Sequence, residues 1–183
     1  MTHPYVCPAT LSGSLDNFLR RLLHKPEKIL KPYINNGMVV LDMGCGPGYF
    51  TPEMARLVGE EGRVIAADLQ LAMLNRMVKK VTGLGLEKKV EPHLCQYETT
   101  GITKKVDFIL LFWMVHEVPD QEKFFEELRM ILNPDGRILI AEPKIHVTKR
   151  AFSEMTAKLE SAGFKISDRP SIAISRSIVL TLG

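Results

Sequence analysis

The run Val39-Val40-Leu41-Asp42-Met43-Gly44-Cys45-Gly46-Pro47-Gly48-Tyr49-Phe50 constrains this chain more than any other stretch. Its apolar half predicts a buried strand, its three glycines a tight turn, and the residues after Phe50 a helix. A strand that turns directly into a helix is the opening of a parallel β–α–β unit. Ligands of nucleotide type are held at such places, outside the carboxyl end of the strand. An acid, Asp42, precedes Gly44-x-Gly46-x-Gly48, and a second acid, Asp68, follows Gly48 by twenty residues at the end of the apolar run Arg63–Ala67.

The spacing separates one ligand class from another. A pyrophosphate cradle requires Gly-x-Gly-x-x-Gly, so that backbone N–H groups and a helix N-terminus can face the anion. Here Tyr49 stands in the place of the third glycine, and Pro47 carries no N–H. An acid at the strand tip would also repel phosphate. The pattern suits a nucleoside that bears an ammonium group and no phosphate. S-adenosylmethionine is such a molecule: an adenosine, a sulfonium and an amino-acid zwitterion.

Strands and helices alternate along the rest of the chain. Strands are predicted at Met38–Met43, Arg63–Ala67, Val90–Cys95, Val106–Trp113 and Arg137–Ala141. Helices are predicted over Pro52–Val58, Ala72–Val81, Asp120–Leu132 and Thr148–Ser161. Pro92 favours an edge position for the third strand. The run Val106–Trp113, rich in Ile, Leu and Phe, favours a central strand covered on both faces. Asn133-Pro134-Asp135-Gly136 predicts a turn. Phe164–Ser167 and Ser175–Leu182 predict a closing antiparallel pair. This order argues for a doubly wound α/β sheet. Residues 1–36 stand apart, with helices predicted over Leu15–His24 and from Pro26. Phe18, Leu22 and Leu23 could form an apolar lid, or the helix could pack on a sheet edge with the same spacing.

A chain of 183 residues fits one domain. The excess of 24 Lys and Arg over 21 Asp and Glu is too small to argue for nucleic-acid binding. Cys7, Cys45 and Cys95 have no paired spacing, so neither a disulfide framework nor a metal site is expected. A reduced, cytoplasmic setting is the natural expectation. No signal-peptide pattern is visible, and the apolar run Phe108–Val115 falls far short of the ~20 residues that a spanning helix needs.

With the glycine turn, the strand-end acid and the final hairpin in place, the chain resembles the class I S-adenosylmethionine-dependent methyltransferases. It is most similar to the small type-11 branch that includes the quinone-biosynthesis C-methyltransferases. Leu41–Gly48 matches the family's first motif and Ala66-Ala67-Asp68-Leu69 its second. The resemblance covers residues 37–183 and implies a seven-stranded, mostly parallel sheet with the last strand antiparallel. It also implies residues for each part of the cofactor. Asp42 and the backbone of Gly44, Cys45, Gly46 and Gly48 would hold the methionine end, and Asp68 the ribose hydroxyls. Leu69 and Met73 would lie beside the adenosine. Gln96 would face the adenine amino group where the family normally offers Asp, and Phe112 would line the floor near the methyl.

The acceptor implied is a small apolar or aromatic molecule, methylated by in-line displacement. His116 and Glu117, just past the fourth strand, are the candidate bases, His116 being the first choice. His116 could equally pack or cap the loop. Tyr49 could stack beside the cofactor or pack against the second strand. Trp113 could be core or a platform for substrate. Glu142, at the fifth strand tip, could face the cleft or stand in a solvated turn. An RNA or protein methyltransferase and a catalytically silent scaffold are the alternatives. The Asn/Asp-Pro-Pro-Tyr signature of base methylation is absent after strand four, no RNA-binding module is visible, and a homodimer is left open.

Overall fold

The computed structural model of the protein describes residues 24–183. The helix expected over Leu15–His24 and the lid role of Phe18, Leu22 and Leu23 lie outside the described residues, apart from His24. Within them, a short helix α1 (Pro26–Leu30) opens on its proline and precedes β1 (Val39–Met43). Then come α2 (Thr51–Leu57), β2 (Arg63–Asp68), α3 (Leu71–Thr82), β3 (Val90–Leu94) and β4 (Val106–Phe112). They are followed by α4 (Gln121–Ile131), β5 (Leu132–Pro143), α5 (Lys149–Ser161), β6 (Phe164–Asp168) and β7 (Ser175–Leu182).

The strands form one seven-stranded sheet in the order β3-β2-β1-β4-β5-β7-β6. β1 to β5 pair in parallel, and β7 enters antiparallel between β5 and β6. β3 with its proline lies at one edge, and the apolar β4 is central, as their compositions predict. The order reverses between β1 and β4, so a crevice opens at the carboxyl ends of these strands.

Side-chain parity assigns the two faces. Leu41, Met43, Ile109 and Leu111 pack with Phe125, Leu128, Phe152 and Leu159 of α4 and α5. Val40, Phe108 and Leu110 pack on the other face with Leu30, Met54, Leu74 and Met77 of α1 to α3. Ile34 also joins that second layer, so residues 24–36 share the core of the sheet. Capping matches composition: Asp120 accepts from the Lys123 N–H at the start of α4, and Thr148 from the Ala151 N–H at the start of α5.

One element departs from expectation. Asn133–Gly136 is not a turn separating α4 from a strand. β5 begins at Leu132, pairs with Val106, and resumes pairing at Arg137 opposite Phe108. The four residues form a bulge inside the strand. Asp107 explains why it holds: one oxygen accepts from the Val39 N–H at 2.9 Å, and the other from the Asn133 side-chain amide at 2.6 Å. The bulge is thereby tied to the start of β1 and β4.

Candidate active site

At the crevice between β1 and β4 lies a cavity of about 490 Å³. Three segments wall it. The first is the glycine turn after β1 with the strand tip of β2 (Met43, Gly44, Gly46, Asp68, Leu69, Met73). The second is the β3–β4 connection (Cys95, Gln96, Tyr97, Thr99). The third runs from Phe112 through Trp113, Met114 and Glu117 into α4.

The turn has left-handed backbone at all three glycines, with φ of 70° at Gly44, 54° at Gly46 and 75° at Gly48. Its N–H groups turn inward. Gly44 and Cys45 both donate to the Ala67 carbonyl, at 2.8 and 3.0 Å, and Gly48 donates to the Cys45 carbonyl at 3.1 Å. Gly46 donates to Asp68 Oδ2 at 2.9 Å. With Pro47 lacking an N–H, every donor from Gly44 to Gly48 is engaged within the protein. A phosphate cradle needs those donors free, so the geometry disfavours a dinucleotide. An open face remains instead: a Cβ added at Gly46 would meet nothing within 4 Å.

Asp68 Oδ1 accepts from the Gln70 N–H at 2.8 Å. Each carboxylate oxygen therefore keeps acceptor capacity for a ligand hydroxyl. Burial pushes the carboxyl above the ordinary aspartate range, while N–H donors from Gln70, Gly46 and Leu69 pull against it. These observations fit a nucleoside whose ribose hydroxyls meet Asp68 and whose apolar body rests on Met73 and Leu69.

Comparison with known proteins agrees with the fold and the turn. Residues 34–176 match the family model described as a methyltransferase domain. The chain belongs to this methyltransferase family. A SAM-dependent methyltransferase from Aquifex aeolicus superposes with a TM-score of 0.87 at 29% identity, covering 97% of this chain and 100% of that one. Among sequence relatives, a ubiquinone/menaquinone biosynthesis C-methyltransferase UbiE from Klebsiella pneumoniae is 33% identical over 110 residues, 60% of this chain and 44% of the relative. The counterpart from Cronobacter sakazakii is 29% identical over 137 residues, 74% of this chain and 53% of its own. The chain thus spans about half the length of these curated relatives. The [4+2]-cyclase SpnF shares the fold alone, at a TM-score of 0.70 and 16% identity over 87% of this chain and 63% of that one.

Of the residues singled out in the sequence of this methyltransferase-family chain, Gly44, Gly46, Asp68, Leu69, Met73, Gln96 and Phe112 all line the cavity. Asp42, Cys45, Gly48 and Tyr49 do not. Asp42 shares the parity of Val40, so its side chain turns toward α2, where its Oδ2 accepts from Thr51 Oγ1 at 2.6 Å. Cys45 is buried beside the turn, and burial pushes its thiol far up. Tyr49 donates to the His24 carbonyl at 2.7 Å, packing toward α1 and away from the cavity.

His116 also lies off the wall. Its Nδ1–H donates to Glu142 Oε2 across 2.5 Å, and Glu142 is itself fully buried. Glu142 is thus no solvated turn residue: its Oε1 also accepts the Met114 and Val115 N–H groups, at 3.2 and 3.0 Å. That hydrogen bond raises His116 above the ordinary histidine range, against the opposing effect of burial. Glu117, by contrast, lines the cavity.

Sequence reasoning missed part of the wall. Tyr97 and Thr99 belong to a connection in which Gln96 pairs with Thr99. Glu127 of α4 anchors it by accepting the Thr100 N–H at 2.7 Å. Asp120, Lys123 and Glu127 lie one helical turn apart, a spacing that marks one face of α4 but not what it faces. Trp113 lines the cavity, donates its indole N–H to Ser175 Oγ at 2.9 Å, and is left-handed at φ 60°. Cys95 is on the wall too, its thiol pushed up to about 12 by burial. Among the described residues no cluster of His, Cys, Asp or Glu could hold a metal, and no helix is long and apolar enough to cross a membrane.

Proposed function

We propose that the protein is an S-adenosylmethionine-dependent methyltransferase acting on a small apolar or aromatic acceptor. The observation that carries this reading is the inward-turned glycine turn beside Asp68: it withholds N–H donors from phosphate and leaves an acid for hydroxyls. In this reading Asp68 accepts from the ribose hydroxyls and the Gly46 face admits the methionine end. Leu69 and Met73 flank the adenosine, and Gln96, through its side-chain carbonyl, faces the adenine amino group. Asp42 holds the turn from behind through Thr51 and α2. When bound, S-adenosylmethionine supplies a methyl group on a good leaving group.

The protein's task is then positioning and water exclusion, worth up to about 7–11 kcal/mol in ideal intramolecular cases. Phe112, Met114, Val118 and Phe124 offer an apolar floor for the acceptor. The likeness to the quinone-biosynthesis enzymes supports an aromatic ring as the accepting group. A ring carbon or hydroxyl must lose a proton. We assign that proton to Glu117, which reaches the cavity, in preference to His116, whose Nδ1 is committed to Glu142. The wall carries Asp68, Glu98, Glu117, Asp120 and Glu127 against Lys123, which disfavours RNA and other polyanions as acceptors.

Calorimetric titration of S-adenosylmethionine into the wild type and Asp68→Ala, with NADH as control, tests the reading. Expected are binding of S-adenosylmethionine alone and a loss of at least about tenfold, or 1.4 kcal/mol, in the variant. NADH binding, or no binding of either ligand by the wild type, would overturn it.

A further inference from the structure

Segment Trp113–Glu117 forms the cavity wall opposite the glycine turn, and its conformation is not one that its own residues favour. Trp113 is left-handed, a backbone state that costs a bulky L residue and persists only when its surroundings impose it. The next residue, Met114, lies directly over the turn: a Cβ on Gly44 would stand 3.1 Å from Met114 Cβ and 3.1 Å from Met114 Cγ. The position of this segment therefore sets the width of the cleft above Gly44.

The groups that impose it are identifiable. Trp113 is held at its backbone by the Ala141 carbonyl, at 2.8 Å, and at its indole by Ser175. Glu142, next along β5, accepts three hydrogen bonds from three successive residues, Met114, Val115 and His116. A carboxylate with no exposure is retained at a strand tip at substantial desolvation cost. All three of its donors come from the one segment that borders the cavity.

We propose that Glu142 and His116 act as positioning residues, a clamp that holds Trp113–Glu117 against the glycine turn and makes cofactor affinity depend on the charge of His116. The proposal rests on the cavity being the S-adenosylmethionine site. With His116 charged, the bond to Glu142 is charge-assisted at both ends and the clamp is tight. As pH rises through the raised folded-state value of His116, that assistance is lost and the segment loosens. Other titratable groups face this region. Glu117 lies on the same helical turn, the ring of His146 lies parallel to that of His116 at 5.9 Å, and His24 stands edge-on to Trp113 at 5.1 Å.

Trp113 is the single tryptophan of the chain, so its emission reports the segment directly, without any ligand. The experiment titrates the emission of the full-length wild type, His116→Asn and Glu142→Gln with pH, and measures S-adenosylmethionine affinity by calorimetry at both ends of the range. Asparagine still offers an N–H donor to Glu142 but does not titrate, so it removes the switch without emptying the position. Expected is a wild-type emission transition with its midpoint above the ordinary histidine value of 6.5, absent in His116→Asn. Glu142→Gln should hold the high-pH emission throughout. Affinity should fall about fivefold across the wild-type transition, the order of losing one charge-assisted contribution, and not change with pH in His116→Asn. A transition that survives in His116→Asn belongs to another group and overturns the proposal, as does a wild type without one. A wild type that shows the transition but binds no S-adenosylmethionine refutes the cofactor reading and not the clamp.

Discussion

Gly46 and Gly48 make a paired test of the turn, because both are left-handed and their surroundings differ. φ is 54° at Gly46 and 75° at Gly48, so alanine at either position takes a left-handed penalty of about 1–2 kcal/mol. At Gly46 the new Cβ meets nothing within 4 Å, and that penalty is the whole stability cost. At Gly48 it would stand 2.8 Å from Met77 Cγ and 3.3 Å from Met77 Cβ. Met77 is fully buried on α3 and the close contacts fall on the stem of its side chain, so overpacking adds about 1–3 kcal/mol. Gly48→Ala should therefore lose about 2–5 kcal/mol against about 1–2 for Gly46→Ala. Urea unfolding followed by far-UV circular dichroism reads both. Binding should rank the other way. Gly46 borders the cavity and its methyl would project into open space there, so Gly46→Ala should weaken S-adenosylmethionine at least about tenfold. Gly48→Ala, off the wall, should bind within about threefold of wild type where it is folded. The reasoning is refuted if Gly48→Ala is no less destabilised than Gly46→Ala, or if Gly46→Ala binds normally.

Further outcomes are expected from the same contacts. Asp68→Asn turns an amide NH2 toward the Gly46 or the Gln70 N–H, so it should cost about 1–3 kcal/mol of stability in urea and weaken S-adenosylmethionine about tenfold by calorimetry. Burial raises the folded-state value of Asp68, so acidification relieves its charge and favours the fold, while ionised Asp68 is lost to the ligand. Wild-type affinity should accordingly fall on acidification with a midpoint above the ordinary 3.8, and an unchanging affinity down to that pH would count against Asp68 as the hydroxyl acceptor. Thr51→Val removes a 2.6 Å donor from the buried Asp42 carboxylate and should destabilise by about 1.5–3 kcal/mol in urea. Saturation with S-adenosylmethionine at a hundred times its Kd should add about 2.7 kcal/mol and raise Tm by roughly 5–10 °C in calorimetric scans, and no shift would contradict specific binding.

The parts of the fold that were legible in the sequence are those where one local pattern decides the outcome. Val39–Met43 and Val106–Phe112 carry apolar residues on both parities, with one aspartate each, the pattern of a strand covered on two faces. Asp68 was legible as a residue of the cavity wall because it ends an apolar run at a fixed distance from the turn. Asn133–Gly136 misled, because its turn composition is equally good for a bulge, and the deciding partner, Asp107, lies 26 residues away. Asp42 is a different case: it adjoins the glycines, and strand parity turns its side chain to the face of Val40, where it accepts from Thr51. The walls contributed by Tyr97, Thr99 and Glu127 had no signal of their own, since the β3–β4 connection is positioned by a hydrogen bond from another helix.

In the proposed reading the cofactor rests on the turn and strand tips, whose positions the sheet register fixes: Asp42 and Met43 are paired on one side with Ala66 and Ala67 and on the other with Leu110 and Leu111. The rest of the wall, Trp113–Glu117, the start of α4 and the β3–β4 connection, lies outside the ladder, and in the proposed reading Val118 and Phe124 are its part that meets the acceptor and not the cofactor. Those segments are held by side chains, Glu142 and Glu127 above all. Changes at Val118 and Phe124 can alter the acceptor without disturbing the sheet. A substitution series at Val118 and Phe124 should therefore change acceptor KM while leaving S-adenosylmethionine affinity within about threefold of wild type. A parallel loss of cofactor affinity in that series would mean that Val118 and Phe124 also carry the cofactor.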